Sequence, residues 1–429
     1  VLIYSNKTSE RLQYILEFIA EQIGLTYTLT QDAQSFESST APKINYSESP
    51  FDNCLNIIPI SLLFENDIHD QDIQMGSWDE LPVFFKQSGE IPFDLFAATF
   101  YLLSRYEEYL AFNEDEFKRY PHKESLAFQN NFLNLPLIDL WLIKLKSTLE
   151  TTFEGLKLKQ KKFEYIPTYD IDIAYSYLHK GMARSTGGFI SDLLKGDLKS
   201  IGNRKKVLSG QQMDPYDSYD FLDDGHSKYN LHPTYFFLVG EQGPLDKNLD
   251  PNQKEVASLI RSISSKYDIG IHPSYQSHEK KSLRDEKETL EGICSKKIEK
   301  SRQHYIRFKL PETYRELIEI GIKEDFSMGY GSINGFRAST SNSFNWFDLS
   351  SNKKSDLRIQ PFSFMECNSF FEQKQSVEET RNELKHYIDL TKKTKGTFCS
   401  IWHNFSLGSD PIWKGWKELY LESLEWLKA

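Results

Sequence analysis

The sequence predicts an α/β protein in two parts, a smaller α/β domain over residues 1–155 and a (β/α) barrel over residues 163–429. Three observations carry this. From Phe163 onward, short apolar runs alternate with segments of helical periodicity, the texture of parallel strands covered by helices. Pro233-Thr-Tyr-Phe-Phe-Leu-Val-Gly240 is apolar nearly throughout, as a strand buried on both faces requires. Before residue 155 the strands are shorter, and no catalytic chemistry is readable among them.

In order, Val1 to Tyr4 reads as a strand and Arg11 to Ile23 as a helix, with Leu12, Ile15, Leu16 and Ile19 at helical spacing. Asn56 to Ser61 is a further short strand. Pro92 to Tyr109 is the strongest helix of this part, Pro92 suiting its first turn and Phe93, Phe96, Phe100, Leu103 and Tyr106 forming its apolar stripe. Its Arg105, Glu107 and Glu108 are expected on a solvated face. Leu137 to Leu149 is the last helix of the part. Strands are then expected at Tyr165–Ala174, Pro233–Gly240, Tyr267–His272, Ser301–Arg307, Phe326–Tyr330, Asn334–Phe336, Ile359–Met365 and Gly396–His403. Helices are expected from Asp214 to Tyr229, Pro251 to Lys266, Glu279 to Cys294, Pro311 to Ile320, Val377 to Lys393 and Trp413 to Lys428. Residues 178–213, rich in Gly and Lys, directly follow the first of these strands and are expected to border its mouth.

Composition removes several functional classes. Of the 429 residues, 39% are hydrophobic and 26% charged, an ordinary globular balance. The formal net charge of -11 argues against nonspecific nucleic-acid or acidic-membrane binding. No run approaches the roughly 18 apolar residues of a membrane span. Val1 to Lys7 lack the basic start and long apolar run of a signal peptide, so a cytoplasmic address is expected. Cys54, Cys294, Cys367 and Cys399 lie far apart, as reduced, mostly buried thiols would.

The chemistry is concentrated at strand ends. Asp170 and Asp172 stand i, i+2 in Tyr165-Ile-Pro-Thr-Tyr-Asp-Ile-Asp-Ile-Ala174, so both side chains share one face. Acidic residues are depleted in strands, and two like charges on one face need a cation or a shared proton. His272 and His403 also end apolar runs, His304 lies in Arg-Gln-His-Tyr, and Arg337 follows Gly335-Phe336. If the units close into a barrel, these groups gather at one mouth. One aspartate with two histidines is a common way to hold Zn²⁺ with open positions.

Phe163 to His403 resembles the polysaccharide deacetylase family, carbohydrate esterase family four. Thr168-Tyr-Asp-Ile-Asp172 is similar to that family's Thr-Phe-Asp-Asp strand, and Thr234–Gly240 to its second strand. Ile269-Gly-Ile-His-Pro-Ser274 is like its histidine motif, Phe336-Arg-Ala338 its arginine motif and Ile401-Trp-His403 its closing Leu-x-His. The whole chain, with Pro92–Ala98 and Ser104–Glu108 at its front, further resembles a two-domain bacterial subgroup whose N-terminal domain has no assigned function. The resemblance implies a distorted (β/α) barrel of about seven strands that hydrolyses acetyl groups on glycans.

It also implies roles. Asp170 would be the base, and Asp172 and His272 would bind one divalent ion, Zn²⁺ or else Co²⁺, Mn²⁺ or Ni²⁺. Gln276 occupies the place of the family's second histidine, so the third ligand falls to His304 or His278. Arg337 or Glu366 would tune Asp170, and His403 would protonate the leaving group. The family's arginine motif ends in proline, where this chain has Ser339. Tyr175, Ser274, Trp346 and Trp402 are the candidate substrate contacts. The expected substrate is an N-acetylated sugar of a bacterial glycan or glycan precursor. Two rivals are an Asp-x-Asp metal-dependent glycosyltransferase, which leaves His272 and His403 idle, and a non-catalytic glycan-binding module on a decayed barrel.

Overall fold

The computed structural model describes residues 1–159, 161–181, 198–277 and 280–428. His278 and residues 182–197 of the 178–213 segment therefore lie outside the described residues. Two parallel-rich sheets organise the chain. In the first, β1 (Leu2–Tyr4), β2 (Thr28–Thr30), β3 (Lys43–Tyr46) and β4 (Leu55–Ile57) run parallel in the order β2-β1-β3-β4. The expected helix after β1 spans Glu10–Ile23. Ser9 caps it by accepting from the Leu12 amide, and Gly24 ends it in a left-handed conformation. A small antiparallel pair follows, β5 (Gly76–Trp78) with β6 (Leu81–Val83).

The second sheet holds β7 (Glu164–Ile171), β8 (Thr234–Phe237), β9 (Asp268–Ile271), β10 (Lys300–Ser301), β11 (Glu324–Asp325), β12 (Phe344–Asp348), β13 (Lys353–Ile359), β14 (Phe364–Met365) and β15 (Thr397–His403). Its order is β12-β13-β11-β10-β9-β8-β7-β15-β14, parallel except for the β12–β13 hairpin. The expected closed barrel is not formed by the described strands, whose sheet has open edges at β12 and β14. The physical reason lies in residues 326–343. Phe326–Tyr330 and Asn334–Phe336 were expected as strands, yet their backbone is irregular. A side chain at Gly329 would overlap the Phe362 ring. Isolated bonds from the Phe362 amide to Met328 (3.2 Å) and from Gly335 to Ser363 (3.0 Å) replace a ladder there.

The strongest expected helix is shorter than its pattern. It runs Leu95–Leu103 from an Asp94 cap, Arg105 then takes a left-handed conformation (φ 55°), and a 3₁₀ turn covers Tyr106–Tyr109. That break swings the charged residues inward, so the expected solvated face does not exist: Arg105, Glu107 and Glu108 are buried. Glu108 accepts from Arg105 Nε (2.7 Å) and, in a two-pronged pair, from Arg337 Nε (2.9 Å) and Nη2 (2.6 Å). Arg105 in turn donates to Glu107 (2.6 Å) and to the Arg337 carbonyl. Burial pushes the Glu108 carboxyl up, but the two arginines outweigh it and hold it below the ordinary glutamate value.

Further ties bind the sheets together. Asp139, on the helix Leu137–Thr152, accepts from the Ser341 amide (2.9 Å) and from the hydroxyls of Thr340 (2.5 Å) and Ser341 (2.7 Å). Tyr14 donates to the Asn345 carbonyl (2.8 Å) and packs on Phe347. One continuous apolar core results. Among the described residues no helix is long and apolar enough to cross a membrane.

Breaking the Glu108 pair from one side strands a buried charge. Arg337→Met is expected to cost about 3 kcal/mol or more, read as a lower urea midpoint. Glu108→Leu combined with Arg337→Met should recover part of that loss. A single variant as stable as wild type would show that the pair contributes nothing.

Candidate functional site

Register places the site. β15 pairs with β7 over seven positions, from Thr397 opposite Glu164 to His403 opposite Asp170. β8 extends the alignment, with Asp170 opposite Phe236 and Phe237 opposite Ile271 of β9, and Ile271 stands opposite Ser301 of β10. The residues just beyond these strands, Asp172, His272, Arg302 and His304, therefore emerge along one edge.

Asp172, His272 and His304 converge there on one group of ligand atoms, with His403 beside them. Asp172 Oδ1 lies 3.2 Å from His272 Nε2, and Asp172 Oδ2 lies 3.6 Å from His304 Nε2 and 3.7 Å from His403 Nε2. Each histidine spends its other nitrogen on a buried acceptor. His272 Nδ1 is 2.6 Å from the Arg302 carbonyl, His304 Nδ1 2.8 Å from Asp246 Oδ1, and His403 Nδ1 2.9 Å from Glu366 Oε1. Such outer partners fix each ring and turn its Nε2 toward the centre. Asp246 is itself held, accepting from the Tyr275 amide at 2.9 Å.

Asp172, His272 and His304 fit a divalent ion. Two ligand atoms bound about 2.1 Å from a tetrahedral zinc stand about 3.4 Å apart, close to the 3.2 and 3.6 Å observed. Asp172 Oδ1 is also buried without a hydrogen bond, despite its approach to His272, as an atom reserved for a metal would be. Burial pushes the Asp172 carboxyl up, yet the neighbouring His304 and His403 leave it well below the ordinary aspartate value. Burial conversely pulls His304 down, and Asp172 and Asp246 outweigh it and raise it to about 9.

Asp170 stands beside this group and not within it. Its Oδ1 accepts from Arg302 Nη1 at 2.9 Å, and its Oδ2 lies 3.9 Å from His272 Nε2. Arg302 is fully buried, donates also to Thr168 Oγ1 (2.7 Å) and the Phe326 carbonyl (3.1 Å), and covers the Phe236 ring at 4.5 Å. Asp170, Asp172, His272, His304 and His403 line one cavity of about 230 Å³ with Arg119, Tyr305, Gly331 and Cys367 among its other walls.

Several expected roles move. Arg337 does not reach Asp170, being committed to Glu108, the Gly329 carbonyl (2.9 Å) and the rings of Phe308 and Tyr330. Glu366 contacts His403 through both its amide (2.7 Å) and its ring, so it orients that histidine and not Asp170. His304 is not on a strand, since β10 stops at Ser301 and His304–Ile306 form a 3₁₀ turn.

The four expected substrate contacts are not brought to the cavity. Trp402 is buried against Phe364 and Tyr420, because alternation along β15 sends it to the face opposite His403. Trp346 is buried on β12 against Tyr314. Ser274 is buried and donates its hydroxyl to Glu286 (2.5 Å). Tyr175 packs on His179 and Tyr219, outside the cavity lining. Arg302, Asp246 and Arg119 were not anticipated. Arg302 alone had a signal, a cation two residues before His304 in the Ser301-Arg-Gln-His run.

A family of unknown function (DUF7033) matches residues 1–154. No curated protein matches the chain. In structure the chain is similar to a candidate polysaccharide deacetylase from Mycobacterium smegmatis, with a TM-score of 0.42 and 14% identity, over 63% of this chain and 85% of that one. It is also similar to Puue allantoinase, with a TM-score of 0.40 and 11% identity, over 62% of this chain and 84% of that one. A third likeness, to the polysaccharide deacetylase Bc1974 from Bacillus cereus, has a TM-score of 0.31 and 11% identity over 62% and 88% of the two chains.

Proposed function

We propose that the protein is a metal-dependent deacetylase that hydrolyses N-acetyl groups on a bacterial glycan or glycan precursor. The observation that carries this reading is the convergence of Asp172, His272 and His304 on one point, each imidazole fixed from behind, with an aspartate outside the ligand set beside them. The division proposed is between a catalytic part over residues 163–429 and an N-terminal part over residues 1–155 that supports it.

Asp172, His272 and His304 would hold the ion, zinc in the first instance, with cobalt, manganese or nickel as substitutes. When bound, it would polarise the acetyl carbonyl and lower the pKa of a water molecule. The protein groups supply the rest. Asp170, held by Arg302, would take the proton from the attacking water as general base. Arg302 keeps that carboxylate in place and, having two acceptors besides Asp170, cannot swing away with it. His403 would return a proton to the departing sugar nitrogen. Glu366 aligns its ring for this, and burial would lower its pKa but for Cys367, Glu366 and Asp172, which raise it well above the usual histidine value.

The Asp-x-Asp rival requires Asp170 and Asp172 on the same ion. The Arg302–Asp170 contact argues against it, because a carboxylate neutralised by a buried arginine is a poor second ligand. The decayed-barrel rival is disfavoured by the complete ligand set.

The deciding experiment is acetate release by metal-loaded protein from N-acetylated oligosaccharides, free N-acetyl sugars and nucleotide sugars. Release from none of them by protein shown to hold its ion would sink the reading. His272→Ala should remove stoichiometric zinc, measured by elemental analysis after dialysis. Asp170→Asn should retain zinc and lower turnover by roughly 10²–10⁴. Equal zinc loss from Asp170→Asn and Asp172→Asn would instead indicate joint chelation. Arg302→Met is expected to keep zinc and lose turnover, whereas Arg337→Met, assayed where it is folded, should retain it.

A further inference from the structure

The metal group is not the only chemistry in its cavity. Arg119, from the N-terminal part, lines the same cavity although it is only 5% exposed. Its backbone sits in a closed loop. Asp115 donates its amide to the Arg119 carbonyl (3.0 Å), and Asp115 Oδ1 accepts from the amides of Phe117 and Arg119 (both 2.9 Å). The side chain is held on three sides. Nε donates to Asp115 Oδ2 (2.8 Å), Nη1 donates to the Tyr305 carbonyl (2.6 Å), and the guanidinium carbon lies 4.7 Å from the Phe117 ring centre. Phe117 in turn stacks on Tyr305, another wall of the cavity. Gly331 makes room for the group: a Cβ there would overlap Arg119 Nη1 and come within 2.8 Å of the Tyr305 carbonyl.

A guanidinium carries five N–H groups, and two of these are used by the protein. Nη2 has no acceptor among the described residues and is not sealed inside the protein, so it is open to the cavity that Arg119 lines. A ligand in that cavity could accept from it in place of water, a charge-assisted hydrogen bond. The geometry is specific to what would accept. Nε and one N–H of Nη1 are tied down, which leaves Nη2 and the remaining Nη1 N–H to meet a planar or tetrahedral oxyanion end-on. None of the catalytic steps needs this cation, because Arg302 already neutralises Asp170. The cavity, at about 230 Å³, is below the roughly 300–1,000 Å³ that encloses a drug-sized ligand. One sugar residue would therefore reach both the metal group and Arg119.

We propose that Arg119 is a specificity-determining residue that binds an anionic substituent, a carboxylate or phosphate, on the sugar whose acyl group is cleaved. This rests on the deacetylase reading for where the acyl group lies. It gives the N-terminal part a direct share in substrate choice.

The test uses the zinc-loaded full chain and methyl glycosides of N-acetylglucosamine. The neutral sugar is compared with its monophosphates at carbons 3, 4 and 6 and with its carbon-6 carboxylate. Calorimetry should show at least one anionic probe binding about 10–100-fold tighter than the neutral one, the worth of one or two charge-assisted hydrogen bonds. The carboxylate and phosphate arms decide between the two anions. That ratio should fall to about one in Arg119→Ala and in Gly331→Ala, which displaces the group without removing it. Arg119→Lys, a point charge without the fork, should keep only part of it. The proposal is overturned if no anionic probe is preferred, or if the preference survives in Arg119→Ala. It is equally overturned if Arg119→Ala lowers the melting temperature and leaves the ratio unchanged, which would make Arg119 a tie between the two parts. Acetate release is followed in parallel. Loss of discrimination without acetate release from any probe would uphold the Arg119 assignment and sink the deacetylase reading, and release without discrimination would do the reverse.

Discussion

Seven consecutive pairings between β15 and β7 set the geometry on which the rest of this molecule depends. Parallel register aligns the ends of neighbouring strands, and side-chain alternation then decides which residues at those ends face the centre. On β7, Thr168 and Asp170 share a face, and Asp172 follows just past the strand end. Tyr169 takes the opposite face and meets His226 and Tyr420 under the helices. On β15, His403 faces the centre and Trp402 the helices. A slip of one residue would exchange the two faces and bury aspartates among tyrosines. The apolar covering layer thus enforces the polar cluster: its burial is what makes any other register expensive.

The second constraint is charge. Fully buried arginines and carboxylates persist only when paired and hydrogen-bonded. Arg302 meets Asp170, Arg337 meets Glu108, and Glu366 and Asp246 meet His403 and His304. These pairs divide by what they leave free. In the Glu108–Arg105–Arg337 group the ions are turned on one another, and the group behaves as a structural clamp. In the histidine pairs one ring nitrogen is consumed and the other is left to the cavity. The same class of contact therefore locks charges together in one place and orients imidazoles toward a cavity in another.

This division explains what could be read in the sequence. Asp170, Asp172, His272 and His403 were legible because they are local signals, polar residues where an apolar strand ends. Their partners were read poorly, because they come from distant segments: Glu366 was named, but for Asp170 and not for His403. Asp246 is one acid among many in a Gly-containing loop, and nothing nearby in sequence points to His304. Arg337 stood in a recognisable Phe-Arg-Ala context, yet the partner decides its role, and Glu108 is 229 residues away. Glu108 itself was misread as solvated, since the helical pattern continued across Arg105 while the backbone did not. The aromatic residues failed for a different reason: a strand of alternating faces offers tryptophans to the core as readily as to a ligand, and here Trp402 and Trp346 fill the core. Closure of the sheet was misjudged because Gly329, Gly331 and Gly335 lie in what otherwise resembles strand sequence. At Gly329 and Gly331 the missing side chain makes room for Phe362 and Arg119.

The stretch from Arg105 to Arg119 joins these two themes. Its first residues clamp the irregular 329–337 segment through Glu108 and Arg337, and its last residue enters the cavity against Gly331 of that same segment. His122 adds a contact to Ser332 at 2.8 Å. The gap in the sheet where residues 326–343 run irregularly is thus covered from outside by the N-terminal part. A closed barrel would have needed no such cover and would have offered no opening through which Arg119 could reach the site. The open sheet and the inserted arginine are therefore one structural solution, in which backbone left unpaired by the strands is satisfied by the neighbouring part of the chain, and that neighbour acquires a wall of the cavity.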